Sequence, residues 1–235
     1  MKQLALDIGL PAGPTLGNFL ADGNGQALQC LHEGLCREGR AQTPVYLWGG
    51  RGCGKSHLLR ASVLALQQQG ARVGWMDAAS GAPGGFDDGW DAVAMDDVHR
   101  YDEALQEAAF NWFVNATHPQ AGSARWVLAA GALPPADLPL RDDLRSRLGW
   151  GQVFQLQPLD EVGCRHVLRQ QARERGIALP DEVLDFMLVR FARDMGSLAQ
   201  MLRALDHFAL QARRAVTIPL VRAMLNEAPD VAELA

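Results

Sequence analysis

Lysine is almost missing from this chain. Of its 22 basic residues only Lys2 and Lys55 are lysine, so a cationic position with no special demand would carry arginine about ten times in eleven. Lys55 is therefore singled out as a residue whose own chemistry matters. Cysteine is sparse too: Cys30, Cys36, Cys53 and Cys164 have neither the paired spacing of a zinc site nor the density of a disulfide framework, and reduced thiols are expected. No segment approaches the unbroken apolar run of a membrane span, and the opening MKQLALDIG is too short and too acidic for a signal peptide, so a cytoplasmic location without membrane association is expected. Nor is there an excess of positive charge. A formal net charge of -5 argues against a protein whose main task is to neutralise DNA phosphates, although a local basic face stays open.

What is present fits an ordinary globule. At 235 residues, with 48% hydrophobic and 21% charged, the chain has room for one generous domain or a medium one plus a small satellite. An amphipathic helix is expected over residues 26–40 from Leu28, Leu31 and Leu35. A short apolar strand is expected over 45–48, then a glycine-rich segment, then a helix over 57–69 ending at Gly70. Further strands are expected over 73–76, 92–95, 126–130 and 153–156, with a loop over 80–89, a helix over 104–115 and a turn-rich connection over 134–139. Alternating strands and helices imply βαβ units and a parallel sheet covered on both faces. After Pro158 only helical patterns follow, over 161–175, 181–191, 197–212 and 219–226, and they predict a separate small bundle. Gly176, Pro180 and Gly196 punctuate it, and Thr217 before Pro219 makes a helix start.

The segment Gly49-Gly50-Arg51-Gly52-Cys53-Gly54-Lys55-Ser56 fits G-x-x-x-x-G-K-[ST] and lies between a predicted strand and a predicted helix, where a phosphate-binding loop must lie. Its glycines let the backbone curl so that N–H groups point inward at phosphates, and the following helix adds its positive N-terminal dipole. Lys55 would reach the β- and γ-phosphates and Ser56 would ligate Mg²⁺, so the ligand class is a purine nucleoside di- or triphosphate. His57 follows directly. Asp96 and Asp97 close the predicted strand 92–95 at the carboxyl edge where open parallel sheets bind ligands. Asp96 would hold Mg²⁺ through water and Asp97 would orient an attacking water, with one methylene less reach than the Glu of many P-loop ATPases; a solvated turn is the plainer alternative. By periodicity alone Arg145 and Arg147 read as surface arginines, and residues 3–8 as an edge strand or frayed terminus.

At these residues the chain resembles the AAA+ branch of the DnaA family, and within it the DnaA-related regulators of the Hda group, nearly end to end. Gly54 to Leu59 (GKSHLL) is similar to the family's P-loop and following helix, and Thr15 to Asn24 (TLGNFLADGN) to the lead-in that lies over adenine. Arg145 to Gly151 (RSRLGWG) resembles the arginine-finger motif, which gives Arg147 the role of a finger in trans. The tail pattern Q-L-x-L-x-L, by which Hda proteins bind the sliding clamp of DNA polymerase III, matches at Gln3, Leu4, Leu6 and Ile8.

The resemblance implies an α/β fold: an AAA+ P-loop domain with a five-stranded parallel sheet over 14–157, a clamp-binding tail over 1–13 and an all-α lid over 158–235. No counterpart of the family's helix-turn-helix or long amino-terminal domain is seen. It also implies ADP or ATP with Mg²⁺ as cofactor, DnaA and the clamp as partners, DNA contacted indirectly through the clamp, and a homodimer as an allowed state. Two departures stand out. Residues 128–132 offer no polar sensor at the strand end, and Gly196 stands where the lid arginine is expected; Arg193, one turn earlier, is either its substitute or an ordinary surface arginine. Weak or absent hydrolysis by the chain itself is the expectation. The function implied is a nucleotide-bound regulator that, with the DNA-loaded clamp, promotes hydrolysis of DnaA-bound ATP and so inactivates the initiator. The alternatives are a self-sufficient AAA+ ATPase or loader, and a DnaA-recruiting adaptor independent of the clamp.

Overall fold

A computed structural model describes residues 13–36, 43–79, 84–120, 122–190 and 195–227. The tail residues Gln3, Leu4, Leu6 and Ile8, and Arg193, lie outside the described residues. The chain divides between Gln157 and Pro158 into two compact units.

The first unit is a three-layer α/β structure. Helix α1 (Gly25–Leu35) precedes strand β1 (Val45–Trp48), the glycine loop and α2 (Lys55–Gln68). Then come β2 (Val73–Met76), β3 (Ala92–Met95), a 3₁₀ turn over Val98–Arg100, α3 (Glu103–Thr117), β4 (Trp126–Gly131), α4 (Asp142–Leu148) and β5 (Gln152–Gln155). All five strands run parallel in the order β2-β3-β4-β1-β5. Side chains alternate across a strand, which sorts the core into two layers. Val45, Leu47, Ala92, Ala94, Leu128 and Ala130 pack with Leu31 of α1 and Leu58 and Leu59 of α2. Tyr46, Val93, Met95, Val127 and Ala129 pack with Phe113 of α3 and Leu144 of α4. Burial on both faces explains why β1, β3 and β4 read as short unbroken apolar runs. Edge strand β5 is mostly exposed.

The second unit holds α5 (Glu161–Glu174), α6 (Asp181–Arg190), α7 (Met195–Ala212) and α8 (Ile218–Glu227). Each presents apolar residues at helical spacing, and Leu168, Leu184, Met187, Leu198, Leu202 and Val221 form one core. Helix starts are capped from the sequence: the Asp160 carboxylate accepts from Gly163 N at 2.7 Å and the Thr217 hydroxyl from Leu220 N at 3.4 Å. Arg169 pairs with Asp181 at 2.6 Å, and Arg165 with Asp185, tying α5 to α6.

Most strand bounds agree with those expected from the sequence. Helix α1 ends at Leu35, earlier than residue 40, and α4 was not expected: DDLRSRL is 7 residues long with only Leu144 and Leu148 buried, one apolar pair and too little for periodicity. The last strand begins one residue early, at Gln152, because its place is set by backbone pairing. Gln152 N donates to Pro44 O at 2.8 Å. That pairing leaves no room beside it: a Cβ on Gly151 would fall 1.9 Å from the Pro44 carbonyl oxygen. Substituting Gly151→Ala is expected to destabilise the protein by about 2 kcal/mol or more, read as a lower urea midpoint at unchanged slope.

Candidate functional site

The site is built at the carboxyl edge of β1, β3 and β4. The loop leaving β1 has three glycines at positive φ: Gly49 at 150°, Gly52 at 75° and Gly54 at 95°. At Gly49 a Cβ would lie 2.6 Å from the Leu156 carbonyl oxygen, and at Gly54 it would lie 2.6 Å from the Phe19 ring. The glycines thus serve both conformation and close approach, since any side chain would push the loop away from its neighbours. Gly54 ends the loop in a left-handed conformation as the N-cap of α2, and no side chain caps that helix start. Its first-turn N–H groups and dipole are the elements an anion needs.

Lys55 is 7% exposed, and its Nζ donates to Gly49 O and Gly50 O, both at 2.8 Å. It also approaches Cys53 Sγ at 3.6 Å. The ammonium therefore sits inside the curl of its own loop, held by carbonyls that a phosphate would displace. Arg51, at the loop crest, is exposed. His57 Nε2–H donates to Thr15 O at 3.0 Å, and its ring lies 5.8 Å from that of Phe19. Burial pushes the His57 pKa below the ordinary histidine value, against the smaller raising effect of the Thr15 bond. So the segment beginning at Thr15 lies across the loop. Asn24 fastens its far end: the side chain donates to Gln157 O at 3.0 Å and accepts from Gln157 N at 2.8 Å.

Asp96 ends β3 fully within the protein, 3% exposed. Burial raises its pKa from the ordinary carboxylate value; a hydrogen bond from Ser56 opposes the shift, Asp97 nearby adds to it, and the Asp97 N–H, donating to Oδ1 at 3.0 Å, opposes it. Ser56 and Asp96, chosen from the sequence as the Mg²⁺ pair, are thus in direct contact. Among the described residues no three His, Cys, Asp or Glu side chains gather as a metal centre. The donor set present, one hydroxyl beside one buried carboxylate, fits a Mg²⁺ that takes its remaining ligands from phosphates and water. Asp97 is partly exposed and holds φ 51° and ψ 39°, a left-handed conformation that costs a non-glycine residue about 1 kcal/mol and points to a constrained site.

Arg147 lies on α4. Its guanidinium carbon is 4.4 Å from the centre of the Phe110 ring, and Nη1 donates to Asp143 O at 3.2 Å. Arg145 pairs with Asp142 at 2.6 Å. Beside them Trp150, 64% exposed, stacks at 5.7 Å on His118, an aromatic surface of the kind found at contacts between proteins. Sequence reasoning missed Phe110 and His99, and named Asn24 only as the end of the lead-in, without its bonds to Gln157. The Nδ1 of His99 accepts from Ala132 N at 3.2 Å, and its only sequence signal is its place just after the acidic pair.

Sheet order, glycine loop, strand-end acids and a following helical unit make up the AAA+ P-loop fold. A model described as the Hda lid domain matches residues 160–225. Domain III of the Thermotoga maritima initiation protein DnaA superposes with TM-score 0.73 at 24% identity, over 91% of this chain and 95% of that one. DnaA from Aquifex aeolicus bound to AMPPCP superposes with TM-score 0.65 at 24% identity, over 85% and 67%. The RuvB branch migration motor of Thermotoga maritima gives 0.66 at 15%, over 91% and 72%. The first unit has the fold of the DnaA AAA+ domain, and the second unit matches the Hda lid. Among the described residues no helix is long and apolar enough to cross a membrane.

The raised pKa of Asp96 fixes a sign. Between its unfolded and folded values the folded state holds more protons, so stability falls as pH rises through that window, and the ionised carboxylate costs stability above it. Asp96→Asn is expected to raise the unfolding midpoint of the nucleotide-free protein at neutral pH, with the gain over wild type shrinking on acidification. Thermal denaturation at a series of pH values checks this, and a lower midpoint at neutral pH would contradict it.

Proposed function

We propose that this protein is a nucleotide-bound regulator of replication initiation. It carries ADP or ATP with Mg²⁺ on the loop Gly49 to Ser56, anchors through its tail to the DNA-loaded sliding clamp, and inserts Arg147 into the ATP site of DnaA. Its Hda-type lid and DnaA-like AAA+ fold support a role in DnaA-related replication regulation. The observation that carries the nucleotide site is the Lys55 ammonium enclosed by the Gly49 and Gly50 carbonyls, one residue from the Ser56–Asp96 pair. A structural neighbour of the same fold, DnaA, is bound to AMPPCP and single-stranded DNA. In this chain Gly49 to Gly54 would surround the phosphates, Lys55 would neutralise them, and Ser56 with Asp96 would hold the metal.

The finger assignment draws on the setting of Arg147. It belongs to a short helix with an exposed indole next to it, and its guanidinium rests on a ring face and donates to the Asp143 carbonyl, with the Asp143 carboxylate close enough to act on it through charge. Such a side chain can leave its resting contacts for a phosphate at small cost. In DnaA it would stabilise the charge that spreads over the transferred phosphoryl group. The bound nucleotide of this chain would act as a conformational ligand, favouring the competent state by differential affinity. The protein would work in the cytoplasm, contact DNA through the clamp, and dimerise where concentration favours it.

Full-length chain, clamp loaded on DNA and ATP-loaded DnaA give the test. Wild type should accelerate release of phosphate from DnaA, and Arg147→Ala should reduce that acceleration about a hundredfold or more. Undiminished acceleration by Arg147→Ala removes the finger. Replacing Gln3, Leu4 and Leu6 together by alanine should abolish clamp capture; undiminished capture removes the tail as anchor.

A further inference from the structure

The end of β4 has no polar side chain to offer a phosphate: Ala130, Gly131 and Ala132 succeed one another. Gly131 cannot be given one, because a Cβ there would meet the Tyr46 hydroxyl at 2.2 Å and Val98 Cγ2 at 3.1 Å. A polar group nevertheless reaches this place from a different element. The imidazole of His99, on the 3₁₀ turn after the acidic pair, accepts the Ala132 N–H through Nδ1 at 3.2 Å. A backbone amide can only donate, so Nδ1 is unprotonated and the ring is neutral with its proton on Nε2. The ring stands within electrostatic range of Lys55, Asp96 and Asp97. Among the described residues Nε2–H has no hydrogen-bond partner.

We propose that His99 reads the terminal phosphate of a bound adenine nucleotide, donating Nε2–H to it in place of the strand-end side chain that β4 lacks. The proposal rests on the reading of Gly49 to Ser56 as the nucleotide site. Loop amides would grip the β-phosphate of ADP and ATP alike and Lys55 would span the β- and γ-phosphates, so a second group that meets only the terminal phosphate must lie beyond them, toward the ends of β3 and β4. His99 is tethered there at both ends, by the backbone next to Asp97 and by the Ala132 amide. A fixed neutral donor supplies a hydrogen bond to phosphate without competing with Lys55 for counter-charge. The consequence is a protein whose affinity differs between nucleoside di- and triphosphate although its strand-end sensor is apolar.

Calorimetry with Mg²⁺, comparing ADP with AMPPCP on the full chain, tests the assignment. His99→Ala should weaken AMPPCP about tenfold or more while moving the ADP constant less than about twofold, so that ADP also reports that the fold is intact. His99→Gln, whose amide N–H comes near the position of Nε2, should recover part of the loss. Equal weakening of both nucleotides, or an unaltered ratio between them, overturns the proposal alone. Wild-type protein that takes up neither nucleotide overturns the site reading and this proposal with it.

Discussion

The contact between the backbone of Gly49 and that of Leu156 is the constraint on which the site depends. With φ at 150° and the Leu156 carbonyl oxygen 2.6 Å from where a Cβ would be, position 49 admits glycine alone. On its other side Leu156 N donates to Trp48 O at 2.7 Å. The first residue of the loop is therefore clamped to the exit of the edge strand. One residue further, Gln157 exchanges two hydrogen bonds with Asn24, and the lead-in from Thr15 returns over Gly54 through Phe19. Loop, edge-strand exit and lead-in are thus one bonded unit, and a ligand that tightens the loop acts on all three.

Within that unit the buried polar groups satisfy one another before any ligand arrives. Lys55 spends two of its donors on carbonyls, and Asp96 receives a hydroxyl and an amide. This matters because an unpaired buried charge would cost several kcal/mol, roughly the margin by which a domain stays folded. The free site is stable because its partners are internal. A phosphate with its cation would not add bonds to an empty shell; it would exchange carbonyl for phosphate at Lys55, with Ser56 and Asp96 as the residues that would hold the cation. Net affinity is then the difference between two satisfied states, and small changes at the rim, such as the donor on His99, decide which nucleotide is preferred.

Legibility in the sequence followed the range of the forces involved. Strands over 45–48 and 92–95 were readable because burial on two faces leaves short apolar runs with turn residues at each end. The glycine loop was readable because its chemistry is carried by backbone conformation, which only glycine permits. Helix α4 was not, since two buried leucines make no period. The 3₁₀ start at Leu16, capped by Thr15 and Asn18, was too short to leave a pattern. His99 was unreadable as a partner of Ala132 because 33 residues separate them, and nothing local to either marks the contact. Asn24 and Gln157, 133 residues apart, are the same case. Sequence patterns record what a residue needs from its own element, whereas a site is completed by what another element brings.

The scarcity of lysine gains a physical meaning from the loop. At the salt bridges of this protein, such as Arg72 with Asp87 or Arg169 with Asp181, the cation faces a carboxylate near solvent, where a planar fork with fixed donors loses less on pairing. Inside the loop the demand is opposite. The cation must turn back on its own backbone and meet carbonyls six and five residues away in sequence, both at 2.8 Å, with Cys53 Sγ at 3.6 Å on a third side. A compact ammonium with donors in three directions satisfies that geometry; a flat guanidinium, broader and with its donors in one plane, would open the curl. Arg125 shows that a guanidinium can also be ringed by backbone, since it donates to the carbonyls of Trp90, Asn115 and Asp88, but those come from separate segments; lysine is kept where the cation turns back into the curl of its own loop, and that curl is what a polyphosphate would enter.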